Sequence, residues 1–219
     1  LRAAHGNTLV DARDKLHWFL CGWLGGPQHY TERFGHPRLR MEYLRRIERS
    51  FAAFPGSRYH VLGNHDHDSL SKAQFLSIAP NTGIPSDRSY YFFDRAGIRF
   101  IVLDACFKAD GAPYDHGNFG WDDCNVPAAE LDWLRESLSS GPGRAVVFIH
   151  QQLDGSGSYY VKNAAEVRSV LEASNKVLAV FQGHRHEGAF LRIAGIPYYT
   201  LVGMIEGRAS LSLSGRWCA

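Results

Sequence analysis

Residues 59–66 read YHVLGNHD, a short apolar run followed by a glycine and three polar side chains. The run Tyr59 to Leu62 is consistent with a buried β-strand that stops at Gly63. Glycine allows the backbone to turn sharply there and to come close to a bound ion or phosphate. Because ligands of open α/β sheets bind at the carboxyl ends of strands, this position predicts a functional role for the polar residues.

The same arrangement occurs twice more along the chain. His150 directly follows the apolar run Arg144 to Ile149, and Gly183-His184-Arg185-His186 follows the run Val177 to Phe181. Four of the 11 histidines therefore lie at predicted strand ends. Neutral imidazole is the commonest metal ligand in proteins, and several imidazoles with one asparagine oxygen suit zinc, manganese or iron better than calcium.

The segments between these strand ends alternate between helical and strand patterns. A helix is predicted from His36-Pro37 to Pro55-Gly56, with Leu44 and Ile47 on its apolar face. Further helices are predicted after Pro127 and after Asn163. This alternation predicts an α/β layered domain. Residues 1–36 have no clear period, although Trp18 to Leu20 is compatible with a strand.

Composition excludes several classes of protein. Hydrophobic residues make up 45% of the 219 residues, and 24 Lys and Arg nearly balance 22 Asp and Glu, which argues against a disordered chain or a polybasic nucleic-acid-binding tail. Apolar runs are far shorter than the roughly 18 residues that span a bilayer. The first residues lack the features of a secretory signal, so the sequence predicts a cytoplasmic protein without membrane segments.

The ordered set Gly-Asn-His-Asp (63–66), a strand-end histidine (150) and Gly-His-x-His (183–186) resembles the calcineurin-like metallophosphoesterase superfamily. The resemblance covers roughly residues 40–208. It implies a four-layer α/β/β/α sandwich with two metal ions at the strand ends, formed by residues 1–219 as a single domain whose segment 1–36 is divergent. The first strand of the family fold is expected to lie before Leu1.

The resemblance also implies a role for each motif residue. Asn64, His150 and His184 would ligate one divalent ion (Mn, Fe or Zn), and His186 would belong to a second. His65 would be the general acid that protonates the leaving oxygen, or a group that stabilises charge on the phosphorus. Asp66 would orient His65, with a solvated turn carboxylate as the alternative. Asp104, at another strand end, has no metal role in the family pattern and is expected to be structural.

Two motifs of the family are not found. These are Asp-x-His after the first strand and Gly-Asp after the second, whose aspartate bridges the two metals. Asp11-Ala12-Arg13 is no match, because no buried strand is predicted before it. The counterpart of Gly-Asp is expected at Gly22-Trp23, which has no carboxylate. His17 or Asp14 are candidate substitutes.

Three functions are compatible with these residues. The first is metal-dependent hydrolysis of a phosphomonoester or phosphodiester in a small-molecule substrate, by a metal-activated water. The second is a catalytically weak metal- or phosphate-binding module that holds one ion at most. The third, a nucleic-acid-binding protein that uses the arginines of the first predicted helix, is disfavoured by the low net charge of +2.

Overall fold

The computed structural model describes residues 7–12, 15–19, 37–53, 55–120, 122–202 and 211–213, with side chains in residues 40–53, 55–120 and 122–202. The helices are α1 (Pro37–Ala52), α2 (Lys72–Leu76), α3 (Ala128–Ser140) and α4 (Ala164–Ser174), with a 3₁₀ turn at Asn64–His67. The strands are β1 (Asn7–Ala12), β2 (Lys15–Phe19), β3 (Arg58–Val61), β4 (Tyr91–Arg95), β5 (Ile98–Val102), β6 (Ala145–Phe148), β7 (Val177–Gln182), β8 (Ala189–Ile193), β9 (Ile196–Thr200) and β10 (Leu211–Leu213).

The strands of the described residues form two sheets. The larger has six strands in the order β4-β5-β6-β7-β9-β8, and the smaller has four in the order β10-β2-β1-β3. Strands β5, β6, β7 and β9 are parallel, whereas β4 and β8 run antiparallel at the two edges. All pairs in the smaller sheet are antiparallel. The mixed α/β class predicted from the sequence is therefore confirmed.

The two faces of the larger sheet have different neighbours because successive side chains of a strand point to opposite sides. On β6, Ala145 and Val147 join a buried cluster with leucines and valines of α3 and α4. Val146 and Phe148 join a second cluster that includes Tyr59 and Val61 of β3. The sheet thus lies between the two helices on one face and a strand of the smaller sheet on the other.

Aromatic rings form a continuous row across the second face. Neighbouring strands contribute rings whose centroids lie 5.0–6.3 Å apart, and Tyr59 of β3 stacks on the first ring at 3.7 Å. Stacked aromatic pairs add to the free energy of area burial and favour one register between strands. In strand order from β4 to β8, the row consists of Phe93, Phe100, Phe148, Phe181, Tyr199 and Phe190.

The first helix has the amphipathic pattern expected from its sequence. Leu44 and Ile47 are buried, while Arg45, Arg46 and Arg49 are exposed. The helix ends before Pro55-Gly56, as predicted, since proline cannot continue a helix. No helix in the described ranges is long and apolar enough to cross a bilayer.

Candidate metal centre

Two predicted ligands are brought together by the ends of adjacent parallel strands. Beyond β6 and β7 the backbone pairing continues, since the Ile149 N–H donates to the Phe181 carbonyl at 3.0 Å and the Gly183 N–H to the His150 carbonyl at 2.8 Å. His150 and His184, which follow these pairs, therefore lie side by side. This is the edge of the sheet that the sequence pattern indicated.

Gly63 brings the loop after β3 against His150. A Cβ atom at this glycine would lie 3.0 Å from two atoms of the His150 ring, closer than nearly all real Cβ contacts. A side chain larger than hydrogen would push the ring away. The glycine therefore serves the close approach of two loops from different sheets.

Donor atoms of three predicted ligands converge on one point. His150 Nε2 lies 3.0 Å from Asn64 Oδ1 and 3.2 Å from His184 Nδ1. All three side chains are nine-tenths or more buried, with exposed fractions of 2%, 3% and 9% for Asn64, His150 and His184. His184 has a φ of 68°, in the left-handed region that non-glycine residues seldom occupy, and such conformations cluster at ligand sites.

The electrostatic environment keeps both imidazoles neutral. Burial lowers the pKa of His150 well below the ordinary value of 6.5, and the neighbouring imidazoles His184, His65 and His186 lower it further. Burial, followed by the charges of His65 and His186, lowers the pKa of His184 to about 4. Neutral imidazoles keep a lone pair for a metal ion, as ligation requires.

The residues fit a divalent metal ion. Ligands about 2.1 Å from an ion and at right angles to each other lie about 3 Å apart, which matches the two distances measured from His150 Nε2. Two imidazole nitrogens and one amide oxygen are a donor set suited to zinc, manganese or iron. Asn64 and the two histidines would therefore hold one ion.

His186, the fourth predicted ligand, is half-buried and follows the same β7 end. Its charge influences both His150 and His184, so it belongs to the same cluster of imidazoles. Its role as ligand of a second ion stays a prediction.

The two carboxylates after His65 have different contacts. Asp66, 1% exposed, accepts the Gly63 N–H through Oδ2 at 2.8 Å, and burial raises its pKa to about 7. The alternative of a solvated turn carboxylate is therefore wrong. Asp68 Oδ2 lies 2.8 Å from His65 Nδ1, so the structure gives to Asp68 the contact that was expected for Asp66. The only sign of the His65–Asp68 contact in the sequence is their spacing of three residues, which brings two side chains together when the backbone forms a 3₁₀ turn.

The carboxylate ligands of the family pattern are not seen in the residues for which side chains are given. In the described part of the chain, no group of three or more His, Cys, Asp or Glu side chains is arranged to hold a metal. Asp11 lies within strand β1, which reaches Ala12 and pairs with β2 and β3. The side chains of β1 are outside those described, so the prediction that no buried strand precedes Asp11 stays a prediction. The Val10↔Arg58 pair, however, places Asp11 at the opposite end of β3 from Gly63.

The remaining candidates for the missing metal ligands have side chains that the structure does not describe. Asp14 and Gly22-Trp23 are outside the described residues, and so is the side chain of His17 in β2. Their roles stay predictions.

Comparison with solved structures identifies the fold. The chain matches the crystal structure of a dimetal phosphatase from Danio rerio with a TM-score of 0.64 over 82% of this chain and 70% of that one, at 21% identity. The chain has the calcineurin-like metallophosphoesterase fold. The resemblance carried by the sequence motifs is therefore confirmed at the level of the fold.

A curated relative is a manganese-dependent ADP-ribose/CDP-alcohol diphosphatase from Arabidopsis thaliana, 24% identical over 199 residues. The alignment covers 74% of this chain and 64% of the relative, so the chain spans less than two thirds of the length of that protein.

A family model also matches the beginning of the chain. The bacterial-like globin model matches residues 1–49, less than a quarter of the 219 residues. The globin fold consists of packed helices, whereas in the described part of this segment residues 7–12 and 15–19 form two paired strands and α1 is the helix. The structure of the described residues in this segment thus differs from what a globin would have.

Proposed function

We propose that this protein is a metal-dependent hydrolase of phosphoester or diphosphate bonds in small molecules. The observation that carries the proposal is that His150 Nε2 lies 3.0 Å from Asn64 Oδ1 and 3.2 Å from His184 Nδ1, each of the three residues following the end of a strand. The metallophosphoesterase fold and the names of the two similar proteins, a dimetal phosphatase and a manganese-dependent diphosphatase, support it.

The residues at the site have three different roles in the proposed reaction. Asn64, His150 and His184 hold the metal, which when bound supplies charge stabilisation for phosphate oxygens and a more acidic water. His65, whose Nδ1 faces the Asp68 carboxylate, donates a proton to the leaving oxygen from its other ring nitrogen. Asp66 closes the turn that carries Asn64 and His65, since its Oδ2 accepts the Gly63 N–H.

The name of the Arabidopsis relative suggests a nucleoside diphosphate derivative as the first substrate class to examine. Tyr159 fits such a substrate. Its ring is 48% exposed and lies edge-on to His184, with centroids 5.6 Å apart. An exposed aromatic ring next to a metal site can stack on a nucleobase or another planar group.

The test is hydrolysis by the purified protein after removal of metals and addition of Mn²⁺, with ADP-ribose and an aryl phosphate as substrates. We expect turnover that depends on Mn²⁺ and that His65→Ala and His150→Ala each reduce by at least about 100-fold. His116→Ala, which alters an exposed histidine, is the matched control. Absence of turnover with both substrates would overturn the proposal.

The alternative is a binding module that holds one ion and turns over little. The donor set favours it in one respect, because the converging ligands include no carboxylate and carboxylates offset the charge of two dications. Binding of Mn²⁺ and of inorganic phosphate without hydrolysis of either substrate would support the module over the enzyme.

A further inference from the structure

Two carboxylates lie within three residues of His65, and the fold uses only one of them. Asp66 stabilises the turn itself, because it is 1% exposed and its Oδ2 accepts the Gly63 N–H at 2.8 Å. Asp68 makes no such backbone contact through Oδ2, which instead lies 2.8 Å from Nδ1 of His65. The two aspartates therefore have separable roles.

The helical geometry explains why Asp68 meets His65. Residues Asn64–His67 form a 3₁₀ turn, and Asp68 continues it with φ −57° and ψ −33°. With three residues per turn, side chains at i and i+3 lie directly above one another. His65 and Asp68 thus share one side of the turn, whereas Asp66 points to another side and reaches the start of the turn.

The backbone of Asp68 is held in place by the loop at Gly117. The Gly117 N–H donates to the His67 carbonyl at 2.8 Å, and a Cβ at Gly117 would lie 3.2 Å from the Asp68 carbonyl oxygen. Gly117 also has a φ of 76°, which disfavours any other residue there. The side chains of His65 and Asp68 are only 11% and 22% exposed, so water competes weakly for their hydrogen bond.

We propose that Asp68 is the positioning residue for His65. Its carboxylate keeps the imidazole proton on Nδ1, so that Nε2 is the ring nitrogen that takes part in proton transfer. The consequence for turnover rests on the proposed function; the orientation of the ring does not. A carboxylate that accepts from one imidazole nitrogen fixes the tautomer and the ring plane, and it raises the basicity of the other nitrogen.

The first arm of the test is spectroscopic and needs no activity. Long-range ¹H–¹⁵N correlation spectra of metal-free protein at about pH 8.5, where imidazole is ordinarily neutral, report the tautomer of each histidine. We expect His65 to carry its proton on Nδ1 in the wild type and to shift toward the Nε2-protonated form in Asp68→Ala. An unchanged His65 tautomer in a folded Asp68→Ala variant would overturn the proposal.

A second His–Asp pair provides the matched control. His116 Nδ1 and Asp115 Oδ1 are in direct contact, and both side chains are exposed. Asp115→Ala should leave the His65 signals as in the wild type and leave turnover unchanged. If Asp68→Ala fails to fold, Asp68→Asn, which keeps the size of the side chain, supplies the same comparison.

The second arm measures turnover. Loss of the Asp68 carboxylate should lower kcat by about 10–100-fold with KM changed little, and Asp68→Glu should recover part of kcat. A shifted tautomer with unchanged kcat would overturn the positioning role in catalysis. Absence of turnover in the wild type would overturn the proposed function, and the tautomer of His65 would still decide the role of Asp68.

Discussion

Two polar clusters adjoin the turn Asn64–His67, the first through Asn64 and the second through the charges that act on His67, and they differ in whether they contain an ion pair. In the metal-centre triad (Asn64, His150 and His184), neutral donors converge with no charge among them to balance a cation. In the second cluster (Lys72, Asp104 and Glu130), Lys72 Nζ and Asp104 Oδ2 form an ion pair at 2.5 Å. The first arrangement suits an external cation, whereas the second already contains its own cation, Lys72, and in that sense is closed.

Further contacts complete the second cluster. Lys72 also donates to the Cys106 carbonyl at 3.1 Å, and the Asp104 N–H donates to Glu130 Oε1 at 2.8 Å. Burial alone would raise the pKa of Asp104, but Lys72 and a hydrogen bond from Ser89 hold it below the ordinary value. Burial raises the pKa of Glu130 well above its ordinary value, and the Asp104 charge adds to this effect. These contacts support the structural role expected for Asp104.

The largest effect should follow from opening the closed cluster. Lys72→Met leaves the completely buried Asp104 carboxylate without its cation, and we expect a loss of about 3–5 kcal/mol in the free energy of unfolding. Urea denaturation measures it. Lys108→Met is the matched control, because Lys108 pairs with Asp110 at 3.8 Å on the surface and should cost less than about 1 kcal/mol. Equal losses in the two variants would contradict the closed character of the second cluster.

His67, beside the closed cluster, should make stability depend on pH. It is fully buried, and burial followed by the Lys72 charge lowers its pKa from 6.5 to about 4. Below pH 6.5 the unfolded chain binds a proton that the folded chain does not. Above pH 6.5 the neutral His67 therefore does not reduce the free energy of unfolding. As the pH falls toward 4, we expect the free energy of unfolding to decrease by about 2–4 kcal/mol because of this residue.

The measurement is the free energy of unfolding between pH 7 and pH 4 for the wild type and His67→Asn. We expect a smaller loss across this range in the variant, whatever its stability at pH 7. His116→Asn, at an exposed position, should keep the slope of the wild type. A slope unchanged by His67→Asn would show that another group causes the pH dependence.

A smaller effect is expected from crowding the metal-centre triad. Gly63→Ala places a methyl group 3.0 Å from the His150 ring, so it should cost about 1–3 kcal/mol of stability and weaken metal binding as well. Gly143→Ala is the control, since a Cβ there meets no atom within 4 Å. Thermal unfolding with and without Mn²⁺ measures both effects. A Gly63→Ala variant with the stability and Mn²⁺ response of the control would contradict the close approach of the two loops.

The smallest effect concerns the rim of the metal-centre triad. Tyr159→Ala should leave stability unchanged and raise KM for ADP-ribose by roughly fivefold, or about 1 kcal/mol, through loss of base stacking. Tyr43→Ala removes a similarly exposed ring from α1 and should change neither quantity. If the KM for an aryl phosphate rises as much as that for ADP-ribose, the ring recognises planar groups in general.

The positions of His150 and His184 were predictable because strong local patterns determine them. A short apolar run followed by a polar residue is visible in sequence, and parallel pairing then brings the two strand ends together. The roles of Asp68 and Lys72 were not predictable from pattern. The first depends on a 3₁₀ turn of four residues, and the second on an ion pair between positions 32 residues apart.

The structure of the segment before α1, in contrast, was not predictable from local sequence patterns. Its sequence has no clear period, and the strands β1 and β2 depend on pairing with each other and with β3. Such pairing is a tertiary interaction that overrides local propensity. The globin match of residues 1–49 reflects sequence similarity that the described backbone of this segment does not follow. The prediction of one domain from 1 to 219 stays a prediction.

Calorimetric titration of metal-free protein with Mn²⁺ decides whether Asn64, His150 and His184 form a metal site. We expect the wild type and His116→Ala to bind at least one ion per chain. His150→Ala should weaken this binding by more than about 100-fold, because it removes the ligand that contacts both others. A wild type that binds no Mn²⁺, or a His150→Ala variant that binds it as tightly as the wild type, would contradict a metal site at these three residues.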